Sequence, residues 1–119
     1  MPLTSQELLD GTIAARFHDL TRKRLRLLLT RDLVAEHERQ PLGQHTDALR
    51  RVLTYLGSFP IQGKLIVEHD GHERWYVCRL SHTDRLRAQR IEGPLDTEGA
   101  AVHAVFLRRL RAVFGEVPA

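Results

Sequence analysis

His69, Asp70, His72 and Glu73 put four side chains able to bind a metal or move a proton within five consecutive residues. A zinc site needs three or four ligands held rigidly, as when two histidines share a helix face in the spacing H-E-x-x-H. Here the four flank an Asp-Gly pair between two runs of alternating apolar residues, the mark of a β-hairpin tip. A tip does not hold ligands still, and no second cysteine or histidine cluster completes the set, so the metal reading is set aside. Cys78, the chain's one cysteine, falls mid-strand without a neighbouring histidine to activate it. It cannot form an internal disulfide, which agrees with a reducing compartment. There is no G-x-S-x-G elbow, no Walker loop and no G-x-G-x-x-G. The residues spell out no self-contained catalytic site.

His103 and Arg109 are more informative because of the helix that carries them, read from Asp96 to Gly115. At about 100° per residue, Val102, Phe106, Leu110 and Val113 fall along one line, with Val105 to one side and Leu107 and Phe114 to the other. That apolar arc spans roughly 200°, against roughly 100° for an ordinary surface helix. The width predicts two partners, the chain's own sheet and a second chain. His103 and Arg109 interrupt the arc. One reading makes them a core histidine bonded to a backbone carbonyl and an arginine whose stem packs while its head reaches water. The other makes both face a second protein, where arginine and aromatic residues concentrate. The residues leave both readings open. In either, a buried guanidinium without a partner would cost several kcal/mol, so Arg109 must find an acid or carbonyls. Arg108 and Arg111, on the far side, are expected in solvent.

The elements that position these residues are legible in outline. Thr4 or Ser5 can cap a first helix, along which Leu9, Ile13, Phe17 and Leu20 keep helical spacing. Four leucines among residues 25 to 29 cannot share one face, which predicts a segment covered on two sides. Thr30 and Asp32 mark a break and a new cap, and a short helix follows from Leu33 to Arg39, stopped by Pro41. Thr46 or Asp47 caps another, with Leu49, Val52, Leu53 and Leu56 as its stripe. From Lys64 the period changes to two. Lys64–Glu68 and Arg74–Leu80 form the hairpin, with Trp75, Val77 and Arg79 on one face. Asp84–Ile91 gives an arginine-rich third strand, and Gly93-Pro94 turns into the last helix. The expected fold is α+β: a mostly helical N-terminal half, then a small antiparallel hairpin or three-stranded sheet packed on a C-terminal helix. One domain, 1–119, is expected, with residues 1–58 its helical part and 63–114 the sheet plus helix.

The formal charge of +3 and pI near 9.6 invite a nucleic-acid partner. The excess is spread thin: residues 1–40 carry seven Lys/Arg against six Asp/Glu, 41–95 eight against six, and 96–119 three against three. Phosphate binding needs a concentrated patch. The alternative function is nonetheless a basic reader of three strands and a helix, with the pattern of AP2-type DNA-binding domains and Arg79, Arg85, Arg87 and Arg90 on its sheet. No apolar run reaches the roughly 18 residues of a membrane span, and the first residues lack the pattern of a secretory signal, so no membrane and a cytoplasmic location are expected.

Three clusters in order carry a resemblance. Pro41-Leu42-Gly43 precedes Leu49, Arg51-Val52, Tyr55, Pro60 and Gly63. Trp75 precedes Arg79-Leu80. Thr97-Glu98 precedes the run His103 to Arg109, the most specific of the three. Together they resemble the small (alpha) subunit of N,N-dimethylformamidase. The resemblance implies an enzyme of two kinds of chain that hydrolyses an N,N-dialkylformamide to formate and a secondary amine. In that family iron, held by two tyrosines and a glutamate of the large subunit, activates water and polarises the amide. It implies that this chain holds no iron or other cofactor, contributes no catalytic residue, and serves as an accessory subunit covering and stabilising the large catalytic one. The interface expected for that partner comprises Tyr55, Trp75, Arg79, His103, Phe106, Leu107, Arg109 and Leu110.

Overall fold

A long helix, α1 (Ser5–Leu28), leads the chain. Three threonines then start the remaining helices, each accepting a hydrogen bond from an otherwise orphaned backbone N–H of the first turn. Thr30 caps α2 (Arg31–Arg39) through Leu33 N, Thr46 caps α3 (Asp47–Gly57) through Leu49 N, and Thr97 caps α4 (Glu98–Phe114) through Ala100 N. Glu36 reinforces the second of these, its carboxylate accepting from both the backbone N and the hydroxyl of Thr46 at 2.8 and 2.7 Å. Between α3 and α4 run β1 (Leu65–His69), β2 (Trp75–Leu80) and β3 (Ala88–Leu95), an antiparallel sheet in the order β1-β2-β3. This computed structural model describes residues 5–58, 65–80 and 88–118, and in α1 the side chains of Arg16 and of residues from His18 onward.

The α+β class, the helical first half and the C-terminal helix against the sheet are as the periodicities predict. Three local expectations are revised. The Asp-Gly reversal is a five-residue loop, because Asp70 closes it with its own side chain, Oδ1 accepting from His72 N at 2.7 Å and Arg74 N at 3.3 Å. The third strand begins at Ala88 and runs on to Leu95, so Gly93-Pro94 lies inside it; residues 84–87 fall outside the described ones. Proline is tolerated there because β3 is an edge strand. Gly93 is required by space as well as by its φ of +129°: a Cβ would meet Tyr76 Cδ1 at 2.8 Å and the Trp75 carbonyl at 2.9 Å. The turn into α4 is Asp96-Thr97 instead.

The leucine run of α1 is the third revision. Leu25 and Leu29 enter the core and Leu28 packs at its edge, but Leu27 is 82% exposed. Only one side of the run is covered. The helical core joins Leu25, Leu29, Leu33, Leu49, Val52, Tyr55 and Leu56 to Phe106, Leu110 and Phe114 of α4, while a smaller cluster joins Leu65 and Val77 of the sheet to Ala104 and Val105. Arg26 adds a polar tie, donating to the Phe114 carbonyl at 2.6 Å, where a cation also suits the negative end of the helix. Leu110→Ala, at a fully buried position, is expected to cost about 3 kcal/mol of unfolding free energy. Leu27→Ala should change it by less than about 0.5 kcal/mol. Urea titrations of the two variants check the contrast, and equal losses would contradict this packing.

Candidate functional site

The breadth of the apolar arc on α4 is explained within the chain. One side of the helix, Phe106, Leu110 and Phe114, closes the helical core; the other, Ala104 and Val105, covers the sheet. The second partner inferred from the width is thus the chain's own helical half, not another polypeptide. Of the residues expected at a partner interface, Phe106 and Leu110 are 2% and 0% exposed and Tyr55 is buried, so none of them offers surface to another chain in this conformation. Tyr55 Oη instead lies 3.0 Å from His18 Nε2. Arg109 donates to the Leu65 carbonyl at 3.2 Å, across from α4 to β1, and burial lowers its pKa. That carbonyl is the partner its burial demanded. Arg108 is also engaged rather than freely solvated, its Nε donating to Glu92 Oε1 at 2.8 Å. Trp75 and Leu107 are half-buried and Arg79 is exposed.

His103 meets a residue that the sequence reading missed. His37, on α2, is 1% exposed, and its Nδ1 lies 2.8 Å from Nδ1 of His103. One ring donates and the other accepts, so each satisfies the other. Phe106 stacks beneath His37 with centroids 4.1 Å apart, and His45 stacks at 5.8 Å while its own Nε2 lies 2.7 Å from the Gln40 carbonyl. The available signal was spacing: His37 stands four residues after buried Leu33, on the inner stripe of α2. His103, but not His37, lines a cleft of about 610 Å³ between the end of α2 and the start of α4, with Arg39, Gln40, Pro41, Leu42 and Gly99 among its other walls.

Electrostatics keeps this pair neutral at physiological pH. Burial first, then the charges His103 and His45 would carry, pulls His37 down to about 4, and burial lowers His103 as well. Nearby Glu36 pulls His37 upward and Glu38 pulls His103 upward, but in each case burial outweighs the acid. Groups that resist protonation this strongly are poor general bases near neutrality. The chemistry they perform here is to satisfy one another between two helices.

The other reactive side chains are similarly engaged. At the hairpin tip, Asp70 serves the loop backbone, whose N–H groups hold its carboxyl below the usual range, and His69 packs on Trp75 at 4.3 Å between centroids. Among the described residues no group of three or more His, Cys, Asp or Glu is arranged to hold a metal ion. Cys78 is buried in β2 beside Glu68, and burial and that carboxylate push its thiol up, the opposite of an activated nucleophile. Of the arginines proposed for nucleic acid, Arg90 forms an ion pair with Glu68 and lies 3.9 Å over the Tyr76 ring. Arg85 and Arg87 fall outside the described residues. Among the described residues no helix is long and apolar enough to cross a membrane.

A family model described as N,N-dimethylformamidase alpha subunit matches residues 12–117. No curated protein matches the chain.

The histidine pair generates a pH dependence of stability. The folded pKa of His37 lies below its unfolded value of about 6.5, so the unfolded chain binds the extra proton more readily. The stabilisation is therefore complete above about 6.5 and is lost as pH falls toward about 4. At roughly 1.4 kcal/mol for each tenfold change in proton affinity, the drop from about 6.5 to about 4 corresponds to an expected loss on the order of 3 kcal/mol. Urea midpoints measured from pH 7.5 to 4 should fall across that window, and His37→Leu should flatten the slope. A wild-type midpoint that stays level would refute the assignment.

Proposed function

The chain belongs to the N,N-dimethylformamidase alpha subunit family, and from that membership we propose that it is the accessory, non-catalytic subunit of a two-chain amide hydrolase. Its large partner would carry the catalytic iron and hydrolyse an N,N-dialkylformamide or a related small amide to formate and an amine. The observation that carries this reading is the family match, which runs from residue 12 to residue 117 of 119.

The disposition of the chain's own side chains supports the accessory role. Iron in this family takes two tyrosines and a glutamate as ligands, and the two tyrosines here lie apart. Tyr55 is in the helical core with its hydroxyl against His18, while Tyr76 is on the sheet beneath Arg90. Glu68, which stands opposite Tyr76 in the β1–β2 register, is held by Arg90. These residues do not fit a shared iron, so no step of hydrolysis is routed through them. What the chain supplies is a folded surface. In a complex that surface would cover apolar area of the large subunit and hold it in its active form, and the iron would polarise the amide from the partner's side.

The test is reconstitution. The isolated chain should fold, bind no stoichiometric iron and leave N,N-dimethylformamide intact, whereas co-expression with the large chain should give a co-purifying complex that releases formate and dimethylamine. Stoichiometric iron, or turnover, in a clean preparation of this chain alone would overturn the accessory role.

A further inference from the structure

The leucine run of α1 raises a question that the fold does not answer. Leu27 is 82% exposed and Leu20 is 48% exposed, and at seven residues apart they lie on one line of the helix. Leu25, which enters the core, is roughly 140–160° round from them. One face of α1 therefore packs inside the chain, and the opposite face carries a second row of apolar residues. Scattered exposed leucines are ordinary, but two aligned on the side of a helix that its own fold does not use form a pattern of anchors.

The flanks of this row are basic. Arg16, Lys23 and Arg24 are exposed and lie within roughly 60° of the Leu20–Leu27 line. The acid at its edge, Asp19, is neutralised by Arg22 at 2.9 Å and Lys23 at 3.2 Å. We propose that this outward face of α1, Leu20 and Leu27 framed by Arg16, Lys23 and Arg24, is the docking surface for the large subunit, and that the surface it meets is acidic around an apolar centre. The proposal rests on the subunit reading above and adds to it the face and its complement.

Charge selects this occupant. A second copy of the chain would set the same basic flanks against each other, and like charges across an interface disfavour that pairing. A phosphate backbone would neutralise the arginines but leave the leucines in water. A lipid surface takes a broad apolar face, whereas here the apolar row is narrow and the opposite side of α1 is fixed against the core. A protein surface with carboxylates around a hydrophobic patch satisfies both halves of the pattern: leucines fill the centre and guanidinium groups pair at the rim.

Binding to the large chain tests the inference, using Leu27→Asp, the double variant Leu20→Asp/Leu27→Asp, and Arg24→Glu, with Arg74→Ala, an exposed cation on the hairpin, as the control from another surface. The measured quantity is the Kd of the complex between separately purified chains. We expect Leu27→Asp and Arg24→Glu each to weaken it about tenfold or more, the double variant to abolish it, and Arg74→Ala to leave it within about threefold. Circular dichroism and urea midpoints of the isolated variants should match wild type, because both leucines are exposed. The wild-type Kd should also rise with salt. If wild type binds and Leu27→Asp and Arg24→Glu bind equally well, the docking face lies elsewhere and the inference falls while the subunit reading stands. If these variants instead abolish self-association or binding to anionic phospholipid vesicles while the complex survives, the face serves a copy or a membrane and the inference is equally overturned. If wild type itself binds no large chain, the subunit reading fails and the docking face fails with it.

Discussion

The structure depends on α4 being buried from two sides. Phe106, Leu110 and Phe114 close a core built by α1, α2 and α3, while Ala104 and Val105 lie on Leu65 and Val77 of the sheet. A small sheet needs an element to cover its apolar face, and α1, α2 and α3 have no reason to stay together without a common apolar wall. One helix of 17 residues supplies both needs. The polar links follow the same geometry. Arg109 joins α4 to β1, His103 joins it to α2, and Arg26 joins its C-terminal end to α1.

Much of this was legible because it is periodic. The stripe of α3, the caps at Thr30 and Thr46, and the hairpin centred on Asp70-Gly71 are local patterns, and local patterns survive translation into three dimensions. The width of the arc on α4 signals two partners, but the second, expected to be another chain, is the chain's own helical half. Which partners they are could not be read, because a helical wheel gives the amount of apolar surface and not the element that covers it. The same limit explains Phe106 and Leu110, expected at an interface and found in the core. His37 was overlooked because a histidine in a charged nine-residue helix looks solvated until a second histidine, 66 residues away, is seen to meet it. Gly93-Pro94 read as a turn because that pair breaks most strands, and only the edge position of β3 removes the objection.

Charged groups divide by side of the sheet and helix. Glu68, Tyr76 and Arg90 form a closed ion-pair and cation–π set on the sheet, and Glu92 reaches across to Arg108 of α4. Such partly exposed pairs contribute little individually. Their effect here is to neutralise arginines that would otherwise resemble a phosphate-binding stripe, so the basic pI is a poor guide to partners. On α1 the outward basic residues frame leucines, a combination better suited to a protein surface.

The arrangement of the larger core has a consequence for biosynthesis. Its N-terminal contributors, Leu25, Leu29, Leu33, Leu49 and Val52, depend on Phe106, Leu110 and Phe114 from the final helix, and Arg26 finds its acceptor 88 residues downstream. A chain emerging from the ribosome would expose those leucines until α4 had emerged, since no earlier element can substitute for the wall that α4 provides. Completion of the interior therefore waits for α4, with long-range contacts forming late. Nascent chains stalled before α4 are the ones for which chaperones or an early-binding companion subunit would matter most.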